Sequence, residues 1–282
     1  MAQDRGAALR ALHRPGDPFV LMNAWDVGSA RLVAALGAQA IGTTSAGFAF
    51  TLGLPDGARI SRAQAMDHAS ALVAATPLPV SADLENGYAE TPEGVAETIR
   101  LAGEAGLAGA SVEDTDLPGD GAYWFDLATD RIRAAAAAAR ALPGDFVLVA
   151  RADGLLTGSY DVREAERRLE AYAEAGADCV YAPMLPDLAA VRRVCAAVRV
   201  PVNVLAAGPM RGHARDELAA AGVARISLGS GLARVAQAAL LAAARAALAG
   251  DFRPLAGGAG GAEIDSLLAR GAVHLPGEVD QD

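Results

Sequence analysis

The sequence predicts an α/β protein built as a (β/α)8 barrel, on three observations. Eight short β-type runs recur along the chain, a helical pattern follows each of them, and no linker or shift of composition divides Asp17 to Ala249. Successive β-then-α units pair in parallel because each helix carries the chain back across the sheet, and eight is the number that closes a barrel. A doubly wound open sheet is the structural alternative.

The first element is a helix over Arg5–His13, placed to cover the bottom of the barrel. The strands follow at Phe19–Ala24, Ala40–Thr44, Val80–Leu84, Gly109–Glu113, Phe146–Arg151, Cys179–Ala182, Val202–Leu205 and Arg225–Leu228. Helices fill the intervals at Val27–Leu36, Arg62–Ala75, Pro92–Ala105, Leu127–Leu142, Val162–Ala175, Leu188–Val198, Ala214–Ala221 and Leu232–Leu248. Thr91-Pro92-Glu93 supplies an N-cap, a first-turn proline and a first-turn acid. Gly37, Gly106, Gly176 and Gly222 each follow a helix end, where a residue free to turn left-handed belongs. Residues 1–250 therefore read as the barrel with its covering helix. Residues 251–282 read as an extension: a glycine-rich joint (AGGAGGAE), a short helix at Ile264–Ala269 and an acidic tail.

Composition excludes several chemistries. The chain has 282 residues and no lysine, so all 24 of its basic residues are arginine. Schiff-base aldolase chemistry, pyridoxal phosphate attachment and a Walker-type phosphate lysine are thereby impossible. A net charge of -10 argues against nucleic-acid and anionic-membrane partners. The most membrane-like stretch, Leu232–Leu248, carries Arg234, Gln237 and Arg245 and reads as a packed helix of a soluble protein. The two cysteines, Cys179 and Cys195, form no CxxC and no disulfide framework, and the N-terminus lacks an apolar signal region. Both features predict a reducing, cytoplasmic setting.

In such barrels the site lies at the C-terminal strand ends, and there the polar residues collect. Asp83 and Glu85 close the third strand, Glu113 and Asp114 the fourth, and Arg151 and Asp153 the fifth; Asp56 lies in the loop after the second. Spaced two apart on a strand, Asp83 and Glu85 share a face, and Glu113 reaches the same volume. Three packed carboxylates need a compensating cation, and oxygen donors without His or Cys select Mg²⁺ or Mn²⁺ over zinc. Asp26, Asp114 and Asp153 also read as plain helix N-caps. Arg151 closes an apolar run, so its charge must be paired or bind something: either a salt bridge to Glu113, or a clamp on a carboxylate or developing oxyanion. Thr44–Gly47 forms a compact turn whose amides can face an anion, and the glycine-rich segments after strands 7 and 8 are either phosphate sites or ordinary turns.

These residues resemble the isocitrate lyase/phosphoenolpyruvate mutase superfamily. The resemblance rests on NAWDVGSAR at 23–31, TSAGF at 44–48, GLPDG at 53–57, ADLENGY at 82–88, SVED at 111–114, ARAD at 150–153 and RISLGS at 225–230. It implies a barrel whose eighth helix is swapped between subunits of a homotetramer or homodimer, and a Mg²⁺-bound 2-oxo acid or enolate at the strand ends. By motif, Asp83 matches the central metal-binding aspartate, with Glu85 and Glu113 acting on the metal largely through water. Arg151 matches the substrate-binding arginine, and Thr44, Ser45 and Ala46 match the loop that grips the substrate carboxylate. Trp25 falls within the strand 1 motif as a substrate contact, and Asp56 matches the catalytic acid of the mutases.

The loop after strand 4 departs from the pattern. The lyases of the family carry Lys-Lys-Cys-Gly-His there, with the cysteine as acid/base, and the phosphonopyruvate mutases a Lys and an Asn. Residues 114–124 contain no Cys, Lys, His or Asn. Gly119 and Gly121 still permit a gate that closes Tyr123 or Trp124 over the site. The reading is a Mg²⁺-dependent enzyme that cleaves a C–C bond in a small 2-oxo (di)carboxylate, or its 2-hydroxy precursor, through an enolate. Asp56 or Tyr123 moves the proton, and Asn203 or the Gly208 and Gly229 turns receive the far end of a longer acid. P–C chemistry, or a barrel that binds a 2-oxo acid without turnover, are the alternatives.

Overall fold

The computed structural model describes residues 4–57, 60–119 and 121–273. Eight parallel strands close into one barrel in chain order: β1 (Phe19–Asn23), β2 (Ile41–Gly42), β3 (Val80–Asp83), β4 (Gly109–Glu113), β5 (Val147–Arg151), β6 (Cys179–Tyr181), β7 (Val202–Leu205) and β8 (Arg225–Ser227), with β8 pairing back onto β1. The open-sheet alternative is thereby excluded.

The helices are α1 (Arg5–Leu12), α2 (Val27–Ala35), α3 (Ser45–Thr51), α4 (Arg62–Ala75), α5 (Pro92–Glu104), α6 (Phe125–Arg140), α7 (Gly154–Thr157), α8 (Val162–Glu174), α9 (Leu188–Ala197), α10 (Arg215–Ala220), α11 (Gly231–Leu248) and α12 (Gly261–Arg270). The four glycines expected at helix ends all adopt positive φ, from 80° at Gly106 to 106° at Gly176. Thr91 caps α5, its hydroxyl accepting from the Gly94 amide. Two helices were not foreseen. Thr44 is an N-cap rather than the start of a mere turn, and Ala46 and Ala49 bury one face of α3 at helical spacing. The short α7 follows β5 in the same way.

One hydrophobic core lies between the sheet and the helix ring, and a smaller one fills the barrel. Leu9 of α1 enters the smaller core fully buried, beside Phe19, Val147 and Cys179. Arg10 holds α1 in place through Asp145 and Asp178, which precede β5 and β6, so α1 closes the N-terminal mouth. At the other mouth, Asn23 donates to the Thr43 carbonyl and accepts from the Leu228 and Gly229 amides, joining β1 to the ends of β2 and β8.

The helix α11 corrects the expectation of a packed element. Of its 18 residues only Ala233 is buried, and Val235, Leu240, Leu241 and Leu248 are exposed. Among the described residues it is the one helix long and apolar enough to cross a membrane by length and composition. Beyond it α12 folds back onto α2, tightly enough that a Cβ on Gly271 would lie 1.9 Å from the Arg31 carbonyl oxygen. The acidic tail lies outside the described residues.

Candidate active site

Arg151 at the end of β5 organises the C-terminal mouth. It grips the Asp153 carboxylate through Nε and, at 2.7 Å, through Nη2, while Nη1 lies 3.2 Å from Glu113 and 3.6 Å from Asp83. The salt bridge to Glu113, one of the two alternatives the sequence left open, is present, but Asp153 is the stronger partner. Burial opposes the Arg151 charge; Asp153, Glu113 and Asp83 outweigh it and hold its pKa above the ordinary value. Burial also raises Glu113, and it carries Asp153 to about 6.

Asp83 ends β3 with one oxygen held and one open. Its Oδ2 accepts from the Ser45 hydroxyl at 2.8 Å and the Ser45 amide at 3.1 Å, and its own amide donates to Thr43 at 2.8 Å. Its Oδ1 is buried and accepts no hydrogen bond. Glu85 does not share this face through strand alternation, because the strand ends at Asp83 and Glu85 takes a φ of 47°. That left-handed turn points it to a side cavity of about 460 Å³ with Arg62, Tyr88 and Leu117. Burial first, then Asp83 and Asp56, push Glu85 up to about 7.

An open chamber of about 860 Å³ covers the strand ends, with Thr44, Ser45, Ala46, Asp56, Asp83 and Arg151 in its wall. The N-terminus of α3 faces it, a favourable end for an anion. Gly208 and Gly229 also reach the chamber, and so do two cations that sequence reasoning missed, Arg211 and Arg234. Arg211 sits in a single helical turn over Gly208–Gly212, and Arg234 in the first turn of α11. Neither ends a strand, so strand-end reading passed over them.

Three expected site residues lie elsewhere. Tyr123 is buried in the core, its hydroxyl accepting from Asn86 at 3.1 Å and its ring under Arg131 at 4.1 Å. Trp25 lines a separate cavity between α3 and α11. Asn203 is wholly buried inside the barrel and donates to Ser227 at 2.9 Å. Of the three suspected caps, Asp26 caps α2 through its side chain, in a reciprocal box with Ser29, and Asp153 occupies the N-cap position of α7 without a side-chain capping bond. Asp153 instead pairs with Arg151. Asp114 accepts from Tyr160, Tyr172, Arg168 and the Asp153 amide, and so fixes the loop that carries Asp153. Gly154 makes room for this, since a Cβ there would lie 2.2 Å from the Tyr160 ring.

Among the described residues no three His, Cys, Asp or Glu side chains converge into a ready-made metal cage. Asp83, Glu85 and Glu113 therefore do not form a closed triad, since Arg151 stands between Asp83 and Glu113 and Glu85 turns aside. A hydrated Mg²⁺ asks for less, one or two carboxylates with water completing the shell. The Oδ1 of Asp83, which accepts no hydrogen bond and has the Arg151 guanidinium at 3.6 Å, fits that demand.

The sequence pattern described as "Phosphoenolpyruvate phosphomutase" matches residues 9–248. The chain belongs to this family. It is a carbon–carbon lyase-like enzyme of the isocitrate lyase/phosphoenolpyruvate mutase superfamily. Its relatives in the family include the Escherichia coli 2-methylisocitrate lyase, 31% identical over 78% of this chain and 76% of that protein. A crystal structure of a Burkholderia cenocepacia protein of the lyase/mutase type superposes with a TM-score of 0.89, at 46% identity over 94% of this chain and 95% of that one. An oxaloacetate acetylhydrolase solved with its product oxalate superposes at 0.83, with 27% identity over 94% of each chain.

Proposed function

We propose that this family member cleaves a C–C bond in a small 2-oxo dicarboxylate, or in its 2-hydroxy precursor, with Mg²⁺ or Mn²⁺ bound at Asp83. The observation that carries this reading is the Asp83 oxygen left without a hydrogen bond beside Arg151, on a residue that lines the chamber together with the start of α3. Bound there, the divalent ion supplies Lewis acidity to adjacent ketone and carboxylate oxygens. Glu113, which shares the Arg151 guanidinium with Asp83, would help to hold its water, and Glu85 lines the adjoining side cavity.

The chain's own groups do the rest. The Ala46 amide at the start of α3 binds the first carboxylate, while Ser45, both of whose donors are held by Asp83, fixes the rotation of that side chain. Arg151, pinned by Asp153 and behind it by Asp114, bears the negative charge that develops as the enolate forms. Arg211 and Arg234 receive the second carboxylate, the part first assigned to Asn203. Asp56 is the proton carrier, because it lines the chamber whereas the Tyr123 hydroxyl is already bound to Asn86.

The exposed apolar face of α11 supports an oligomer in which a second copy covers it, and the two free cysteines support a reducing, cytoplasmic setting. The test of activity is to incubate the protein with oxaloacetate, 2-oxoglutarate, 2-hydroxy tricarboxylates and phosphonopyruvate, with and without Mg²⁺, and to follow products by NMR. Metal-dependent C–C cleavage of at least one acid is expected. Conversion of phosphonopyruvate alone, to pyruvate and phosphate or to phosphoenolpyruvate, would establish P–C chemistry, and ligand bound but unchanged would establish a binding protein.

A further inference from the structure

The register of the barrel sets Glu113, Arg151, Tyr181, Asn203, Arg225 and Phe19 side by side on neighbouring strands. This row begins among the carboxylates at the mouth and descends to the floor, and it contains a second arginine. Arg225 is 5% exposed, yet among the described residues it makes no salt bridge, and its Nε and Nη1 are buried without a hydrogen-bond partner there. Desolvation therefore acts on it unopposed by any ion pair, and its pKa is lowered.

Such a group is costly. A buried, unpaired guanidinium destabilises the fold, and a well-packed apolar residue in its place is expected to be neutral or stabilising. Its surroundings suggest what it serves. Arg225 borders an inner cavity of about 40 Å³, shared with Asp83, Arg151 and Ser81, directly beneath the chamber. Ser81 Oγ and Asp83 Oδ1 are themselves buried without partners. The space suits about three waters, each able to accept from the guanidinium and donate toward an orphaned oxygen.

We propose that Arg225 is the buried counter-charge of the site, acting on Asp83 across the inner cavity, so that the mouth holds a divalent cation without repelling an anionic substrate. Arg225 is thus a positioning residue: it touches neither ligand and sets the balance between them. The proposal rests on the 2-oxo acid reading above, and it makes a signed prediction that structural damage cannot imitate. Removing the positive charge strengthens binding of a cation and weakens binding of an anion.

The experiment compares wild type, R225M and R225K. Mn²⁺ alone is titrated by electron paramagnetic resonance, oxalate is titrated by calorimetry with and without Mg²⁺, and melting is followed without ligands. R225M is expected to melt no lower than wild type, to bind Mn²⁺ several-fold tighter and to bind oxalate roughly tenfold weaker, with R225K restoring both affinities. A lower melting temperature, or both affinities shifting in the same direction, would make Arg225 a structural residue and overturn the proposal. Should wild type bind no divalent ion, the metal reading of the site falls while Arg225 is still judged. The metal-free oxalate titration and the melting curves then decide: unchanged oxalate affinity in R225M overturns the proposal, and a roughly tenfold loss at unreduced stability sustains it.

Discussion

The hydroxyl and the amide of Ser45 converge on a single oxygen of Asp83, at 2.8 and 3.1 Å. One residue from the start of α3 thereby fixes the carboxylate at the end of β3 and leaves its second oxygen facing the site. Asp83→Asn is expected to weaken Mg²⁺ binding at least roughly tenfold, the scale of losing one charged ligand, while the melting temperature without metal moves by only a few degrees. Calorimetry and thermal melting check both halves. Undiminished affinity would remove Asp83 from the metal site.

Arg151→Lys keeps the charge and loses the two-nitrogen grip on Asp153. Oxalate binding in the presence of Mg²⁺ should weaken by about 1–3 kcal/mol, the range for a hydrogen bond to a charged group. Asp114→Asn, which disturbs the support behind Asp153, should produce a smaller loss of the same sign.

His13 gives a pH dependence separate from catalysis. Burial, then Arg225, hold its folded pKa down at about 3, against 6.5 unfolded. The folded state therefore binds fewer protons than the unfolded state between those values, so the stability contributed by neutral His13 is present above pH 6.5 and is lost as the pH falls toward 3. Between pH 7 and pH 5 this group should cost about 2 kcal/mol of unfolding free energy. Glu85 and Asp153, whose folded pKa values are raised, act with the opposite sign. The informative quantity is the difference between wild type and His13→Leu in urea unfolding at the two pH values, where the variant should show the flatter loss.

Neither cysteine is expected to take part in turnover. Burial raises Cys179 to about 12 and Cys195 to about 11, leaving almost no thiolate at neutral pH. Iodoacetamide at pH 7.5 should label both slowly, and the double alanine variant should retain its activity. Loss of activity on alkylation of folded protein would contradict this.

The exposed residues of α11 make the oligomer testable. Leu240→Glu together with Leu248→Glu should shift the sedimentation coefficient to that of a monomer, with the barrel's circular dichroism unchanged. Identical sedimentation of wild type and variant would mean that a second copy does not cover α11.

Much of this architecture was legible in residue order. Gly109–Glu113 and Val202–Leu205 are strands with the bounds the sequence predicts, because buried parallel strands are short apolar runs whose ends are marked by the polar residues that follow. Asp83 and Arg151 stand out for the same reason. Glu85 was misplaced because a single left-handed residue cancels alternation, and nothing in its neighbours announces that turn. Asn203 and Arg225 both sit on short apolar strands. Whether such residues face the open chamber or the packed floor depends on the stagger between strands, which single-strand patterns do not carry. Arg211 and Arg234 owe their positions to loop and helix geometry set by the whole barrel.

The hook formed by Asn23 has a consequence for how the ring behaves as a mechanical object. A closed barrel is a strip of sheet whose two ends must be sewn together, and the stitch nearest the mouth is one amide side chain from the first strand reaching the last. The Gly229 corner of the chamber, built late in the chain, is therefore held in shape by a residue made early. That corner cannot take its final form until the eighth strand has been made and paired with the first, so the pocket matures only once the barrel has closed.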